Sequence, residues 1–154
     1  MKNKFFITLT LLLSYQTLMA QDNTRLSSKL KALNNDTLRY IKEEIISRKN
    51  FYIGKPLDSL LKDLPMSAKR YINPPSSTMS VYPATYIFTF YQRNTRIAQK
   101  KDPLDLIITW QTPLQKSELT YVGLQAMGGE WTEAAYRFFK SRIISDIGLV
   151  KYNF

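Results

Sequence analysis

Two runs of alternating side chains, Thr85–Gln92 and Leu104–Gln111, constrain this chain more than any other feature. In the first, Tyr86, Phe88 and Phe90 alternate with Thr85, Ile87, Thr89 and Tyr91. In the second, Leu104, Leu106, Ile108 and Trp110 share one face, and Asp105, Ile107 and Thr109 share the other. A period of two, rich in β-branched and aromatic residues, predicts strands. The polar, basic stretch Arg93–Pro103 lies between them, so an antiparallel hairpin is the economical pairing. Leu119, Tyr121, Val122 and Leu124 predict a third strand over Glu118–Gln125, with Thr112–Ser117 as its turn.

Helical spacing flanks these runs. Leu26, Leu30 and Leu33 mark one face of a helix in residues 21–36, a stretch that reads equally as a flexible leader. Asp36 is placed to cap a second helix from Thr37 to about Arg48, with Leu38, Ile41 and Ile45 as its stripe. Pro56 suits the first turn of a short helix carrying Leu57, Leu60, Leu61 and Leu64, which Pro65 ends. Residues 65–80 read as a loop centred on Pro74–Ser77. After Gly128–Gly129, Thr132 caps a long helix to Ile147, with Tyr136, Phe139, Ile143 and Ile147 inward and Gly148 as its stop. Leu149–Phe154 reads as a short last strand. Helices, then strands, then a helix predict an α+β domain over 37–154. N-terminal helices precede an antiparallel sheet of three to four strands, and the long C-terminal helix packs on one face.

The first twenty residues read as an export signal. Lys2 and Lys4 precede the apolar run Phe5–Leu13, and Leu18-Met19-Ala20 stands before Gln21. A membrane span needs about 20 apolar residues, twice this run. Leu18 is larger than the residue usually found three positions before a cut. The expected protein is exported, periplasmic or secreted after cleavage near Ala20. No second run of spanning length follows in the mature chain.

The chain holds 22 Lys and Arg against 12 Asp and Glu, a formal +10, with no His and no Cys. Lys2 and Lys4 leave with the signal, so the mature balance is 20 against 12, or +8. Such a surface favours anionic partners, or it serves solubility alone. Export makes nucleic acid the least favoured of them. The missing residue types exclude Ser-His-Asp and Cys-His nucleophile arrangements, Cys/His zinc sites, histidine general acid–base catalysis and disulfides.

Five features could carry function. Arg93, Arg96, Lys100 and Lys101 place four cations in nine residues at the hairpin tip, and could meet an anionic surface or remain a solvated loop. Gly128-Gly129-Glu130-Trp131 precedes a helix, where backbone N–H groups hold anions, although Glu130 and Glu133 oppose one. Asp102 with Asp105, Asp58 with Asp63, and Glu118 are the carboxylates a glycosidase would draw on, yet no spacing sets a pair across a cleft. Tyr71, Tyr82, Tyr91 and Tyr121 exceed what the core clearly needs and suit stacking or an interface, with cross-strand packing as the plainer use. Val150–Phe154 ends in a terminal Phe after alternating apolar residues, as a closing barrel strand does, but a barrel needs at least about eight strands.

The Ala20–Gln21 junction, and Tyr52-Ile53-Gly54-Lys55-Pro56-Leu57 running into Leu60-Leu61, resemble small exported proteins of Gram-negative envelopes. Over residues 50–125 the outline is similar to the envelope assembly module of BamE/SmpA type, without that family's lipobox cysteine and with an added C-terminal helix. It is similar also to periplasmic inhibitor domains. The resemblance carries over no functional residue and implies no cofactor or metal. The expected role is a non-enzymatic binding protein of the envelope. An envelope protein or an anionic envelope component would be its partner, met by Arg93, Arg96, Lys100, Lys101, Tyr91 and Tyr121. The alternatives are an inhibitor or immunity protein for a hydrolase, and a carboxylate-based hydrolase.

Overall fold

The structure, a computed structural model, describes residues 26, 28–74 and 84–154. The export signal 1–20, the start of the leader, most of the Pro-Ser loop and Tyr82 lie outside the described residues. Two units divide the chain, one ending at Tyr40 and one beginning at Ile41. In the first, residues 28–32 are helical, and Asn34 and Asn35 stop that helix at φ 55° and 58°. Asparagine tolerates this left-handed conformation better than most side chains. Asp36 then caps helix α1, Thr37–Tyr40, with Oδ1 accepting the Arg39 N–H at 3.0 Å, as the sequence predicts.

The second unit opens on a π-helical turn, Ile41–Ile46, with the Ser47 N–H reaching the Lys42 carbonyl at 3.0 Å. The Ser47 hydroxyl also donates to the Glu43 carbonyl, a local bond that competes with regular α winding. Ile41 and Ile45 are buried by this turn. A 3-10 turn follows at Lys49–Phe51, then helix α2, Leu57–Leu61. Pro56 stands just before α2 as its cap, at ψ 149°, rather than within its first turn. Leu57, Leu60 and Leu64 are buried, as their spacing predicts.

The remaining elements, in order, are β1 Arg70–Ile72, β2 Thr85–Thr89, α3 Arg93–Ala98, β3 Asp105–Trp110, α4 Lys116–Tyr121, β4 Gly128–Glu130, α5 Glu133–Phe139 and β5 Ile144–Leu149. The fold is α+β. One antiparallel sheet runs β4-β1-β2-β3-β5, with five strands where three or four are expected. The β2–β3 pair has the expected partnership, with Tyr86 opposite Ile108 and Phe88 opposite Leu106.

Four sequence expectations are corrected. Residues 118–125 are not a strand: α4 occupies 116–121. Gln115 and Glu118 form a capping box at its start, and only Leu119 and Leu124 of the apolar set are buried. The long helix to Ile147 is absent, because α5 ends at Phe139 and the chain returns as β5. A bulge explains the misleading spacing. Thr109 faces Asp146 while Trp110 faces Ile144, so Ser145 is an extra residue on β5. Ile144 and Ile147 therefore share a face three residues apart, which imitates a helix. The last strand ends at Leu149 rather than beginning there. Within the expected loop 65–80, Arg70–Ile72 pairs on both sides, with β2 and β4.

Phe139, at the end of α5, fixes that helix on the sheet. Its ring lies 5.3 Å from Tyr71, 5.4 Å from Tyr86, 5.7 Å from Phe88 and Trp110, and 6.0 Å from Trp131. The opposite face of the sheet carries a half-buried row, Ile72, Ile87 and Ile107, in register across β1, β2 and β3. At the sheet edge, Gly128 has φ 123°, and a Cβ there would stand 2.5 Å from the Tyr71 carbonyl oxygen and 2.8 Å from Ile72 Cα.

Phe139→Ala should cost about 3–5 kcal/mol, the range for a fully buried aromatic, as read by urea denaturation. Gly128→Ala should lower stability by more than about 2 kcal/mol, because strained backbone and overlap with β1 act together. Equal midpoints for wild type and Gly128→Ala would show that β4 does not hold its place beside β1.

Candidate functional site

Helix α3 replaces the expected open loop between β2 and β3, and it separates the four cations of that segment. Arg93, in its first turn, turns back toward the sheet. Its Nε donates to Asp105 Oδ2 at 3.0 Å and to the Tyr152 hydroxyl at 3.1 Å. The Tyr152 hydroxyl donates to the same Asp105 oxygen. Asp105 is fully buried although it lies on the β3 face that the alternation assigns away from Leu106 and Trp110. The tail is pinned here by backbone as well, through the Val150 N–H to the Asp105 carbonyl at 2.9 Å.

Burial pushes the Asp105 carboxyl above its usual range, and hydrogen bonds from Tyr152 and Arg93 work against that rise. Burial, then the bond to Asp105, raises the Tyr152 phenol to about 12. Asp105 Oδ1 and Thr89 Oγ1, on directly paired residues, are buried and lack a hydrogen-bond partner among the described residues. Arg93 is thus the counter-charge of Asp105, with 43 % of its side chain still exposed.

Of the other three cations, Arg96 is half-buried. Arg96 Nε donates to the Asp102 carbonyl at 3.1 Å, and its guanidinium lies 4.3 Å from the centre of the Tyr91 ring. That contact sets the Arg96 charge over the Tyr91 ring and makes a joint cationic and aromatic edge. Lys100 and Lys101 are exposed just beyond. There the Lys101 N–H reaches the Arg96 carbonyl and the Lys100 N–H the Ile97 carbonyl, both at 2.9 Å, and Lys100 has φ 52°. This is a Schellman cap with lysine at the left-handed position that glycine normally fills. Asp102 closes the next turn by accepting the Leu104 N–H at 2.7 Å.

Tyr121 does not join this edge. It sits on α4, beyond the Trp110 end of β3, while α3 leads into the Asp105 end. At 91 % exposed it is the most solvent-open large apolar side chain of those described. Next to it a groove of about 560 Å³ is lined by Val122, Ala134 and Phe138, with Glu133, Arg137 and Arg142. Arg137 is paired with Glu133 at 2.8 Å, and Arg142 with Glu118 at 3.4 Å. The sequence does not reveal this groove, because 118–125 reads as a strand.

The remaining candidates are absorbed by structure. Gly128 and Gly129 form a strand beside β1 and not a helix start, so their N–H groups are not arrayed for an anion. Asp58 accepts from the Tyr136 hydroxyl and pairs with Lys62, each at 2.8 Å, and Asp63 accepts from the Tyr52 hydroxyl at 2.7 Å. Lys62, with Tyr136, holds the Asp58 carboxyl below its usual range. Glu118 is occupied by the α4 cap and Arg142. Tyr71 is core, its hydroxyl accepting the Gln125 N–H at 3.2 Å. Among the described residues no group of three acidic side chains gathers as metal ligands do.

Arg93→Ala should lower stability by about 2 kcal/mol at pH 7, a buried-pair loss discounted because Arg93 is itself partly exposed. The sign with pH follows from the raised carboxyl. A folded pKa above the unfolded value favours the folded state at low pH, and this advantage is lost as pH rises through the folded pKa. Without Arg93 the Asp105 carboxyl rises further, so the deficit shrinks as pH falls toward about 4. Urea denaturation at both pH values checks this; a deficit that is constant or larger at low pH would mean that Asp105 is not its source. Set against known proteins, the chain matches no family model, and no curated protein and no solved structure matches it.

Proposed function

We propose that this chain is a non-enzymatic, exported binding protein of the cell envelope, and that the C-terminal edge of α3 grips an anionic partner. One observation carries the reading: lysine occupies the left-handed cap position at residue 100. An L side chain there costs roughly 1 kcal/mol that glycine avoids. Lys100 does lie near the α3 carbonyl ends, where positive charge is favourable, but that is a small surface effect. A strained residue holding an exposed charge beside Lys101, and beside Arg96 set over Tyr91, is what a built cationic edge requires. The formal +8 of the mature chain, 20 cations against 12 acids once Lys2 and Lys4 leave, gives the long-range attraction, and this edge gives it a place to act.

The test separates stability from binding. Lys100→Gly should hold or raise the thermal midpoint, since the cap relaxes. The same change combined with Lys101→Ala should weaken binding to a polyglutamate probe by about thirtyfold at low salt, from about 1 kcal/mol for each of the two cations removed. Fluorescence anisotropy reads the affinity. Unchanged affinity in the double variant would remove α3 as the binding edge.

A further inference from the structure

A second surface lies on the turn between the 3-10 segment and α2, in Arg48-Lys49-Asn50-Phe51-Tyr52-Ile53-Gly54-Lys55-Pro56. Three successive side chains divide there. Tyr52 points inward, 1 % exposed, while Phe51 and Ile53 on either side are 49 % and 38 % exposed. The turn is held firmly. The Tyr52 hydroxyl is bonded to Asp63, the Gly54 N–H reaches the Ile144 carbonyl at 2.8 Å, and the Ile144 N–H reaches the Lys55 carbonyl at 3.0 Å. Gly54 has φ 79°, and a Cβ built there would meet nothing within 4 Å, so the turn faces open space. Two apolar side chains are therefore presented outward on a fixed backbone.

Cations surround them. Lys55 Nζ lies 3.2 Å from the centre of the Phe51 ring, and the Arg48 guanidinium 5.6 Å. Lys55 has no carboxylate partner among the described residues. Arg48 is paired with Glu44 at 3.3 Å and Lys49 with Asp146 at 2.7 Å, both at exposed sites where such pairs hold weakly.

We infer that this turn docks on an acidic lipid bilayer. Phe51 and Ile53 enter the boundary between headgroups and acyl chains, and Lys55 and Arg48 swing from the ring to lipid phosphates. An aromatic ring suits headgroup depth, and long cationic side chains reach phosphate from an apolar base. Size favours lipid over protein. A stable protein interface covers about 800 Å² on each partner, far more than two side chains on one turn supply. A bilayer takes a small wedge, because anionic headgroups add attraction for each neighbouring cation. This inference is independent of α3: the turn's docking stands or falls whether or not Lys100 and Lys101 bind anything.

The experiment uses the mature chain from Gln21 and vesicles of phosphatidylcholine with and without about one quarter phosphatidylglycerol, at about 150 mM salt, where distant charges are screened. Phe51→Trp should shift its emission to the blue on acidic vesicles and be quenched by brominated acyl chains, beyond the signal of Trp110 and Trp131 in wild type. Phe51→Ser with Ile53→Ser should lower acidic-vesicle affinity about tenfold, the equivalent of about 1.4 kcal/mol, with the circular dichroism spectrum unchanged. Lys100→Gly with Lys101→Ala should lose less than that. Absence of both the shift and the quenching for Trp at position 51 overturns the proposal. So does unchanged vesicle binding in the serine pair, or a wild-type self-association that the serine pair abolishes without any vesicle binding. If only the Lys100 and Lys101 changes matter, the bilayer contact belongs to α3 and not to this turn.

Discussion

Phe139 sits where α5 ends and where the sheet needs a lid, and most of the second unit is arranged around that coincidence. Its ring is stacked on Trp110 at 19° and on Trp131 at 22°, and meets Phe88 edge-on at 83°. Offset stacking and edge contact are the arrangements that the ring quadrupole favours, so the cluster adds direction to what burial supplies. A seven-residue helix is too short to hold itself together in water. It persists because Thr132 caps it, with Oγ1 accepting the Ala135 N–H at 3.2 Å, and because Phe139 ties its last turn to three strands. The Tyr136 hydroxyl adds a bond to Asp58 on α2.

The same short helix marks the limit of what periodicity reveals. The β2–β3 pair is legible because its buried and open faces alternate over Thr85–Phe88 and Leu106–Trp110, with only the paired Thr89 and Asp105 buried on the open face. Thr132 as cap and Phe139 as core are legible too. What hides the rest is a bulge and a compact strand. Ser145 makes β5 present Ile144 and Ile147 on one face at a helical interval, and β1 has only three residues, the first of them Arg70. In α4 the informative signal is the reciprocal Gln115–Glu118 cap, which outweighs the propensity of Tyr121 and Val122 for strands.

The candidate site shows a different limit. Its cations are readable from the sequence, but their division is not, since it depends on partners far along the chain. Arg93 finds Asp105, twelve residues on, and both find Tyr152 near the end of the chain. Burying a carboxylate is tolerable when a counter-charge and hydrogen bonds surround it. Here one buried acid collects α3, β3 and the tail into one arrangement. Arg93 holds α3 by its first turn, and Lys100 and Lys101 stand exposed beyond its last.

The two proposed surfaces then stand in a definite relation. The Phe51 turn is bonded to Ile144, at the first residue of β5, where β5 meets Trp110. Helix α3 leads into Asp105 at the other end of β3, beside Leu149 and Val150. Five residue steps of strand separate those ends, about 17 Å at the usual rise. That separation along the strand is roughly two Debye lengths at physiological salt. Where β3 stands upright on the bilayer, charge at the α3 edge is screened from the lipid that the Phe51 turn would bind. Two anionic partners could be engaged together without competing, which a single merged basic patch would not allow.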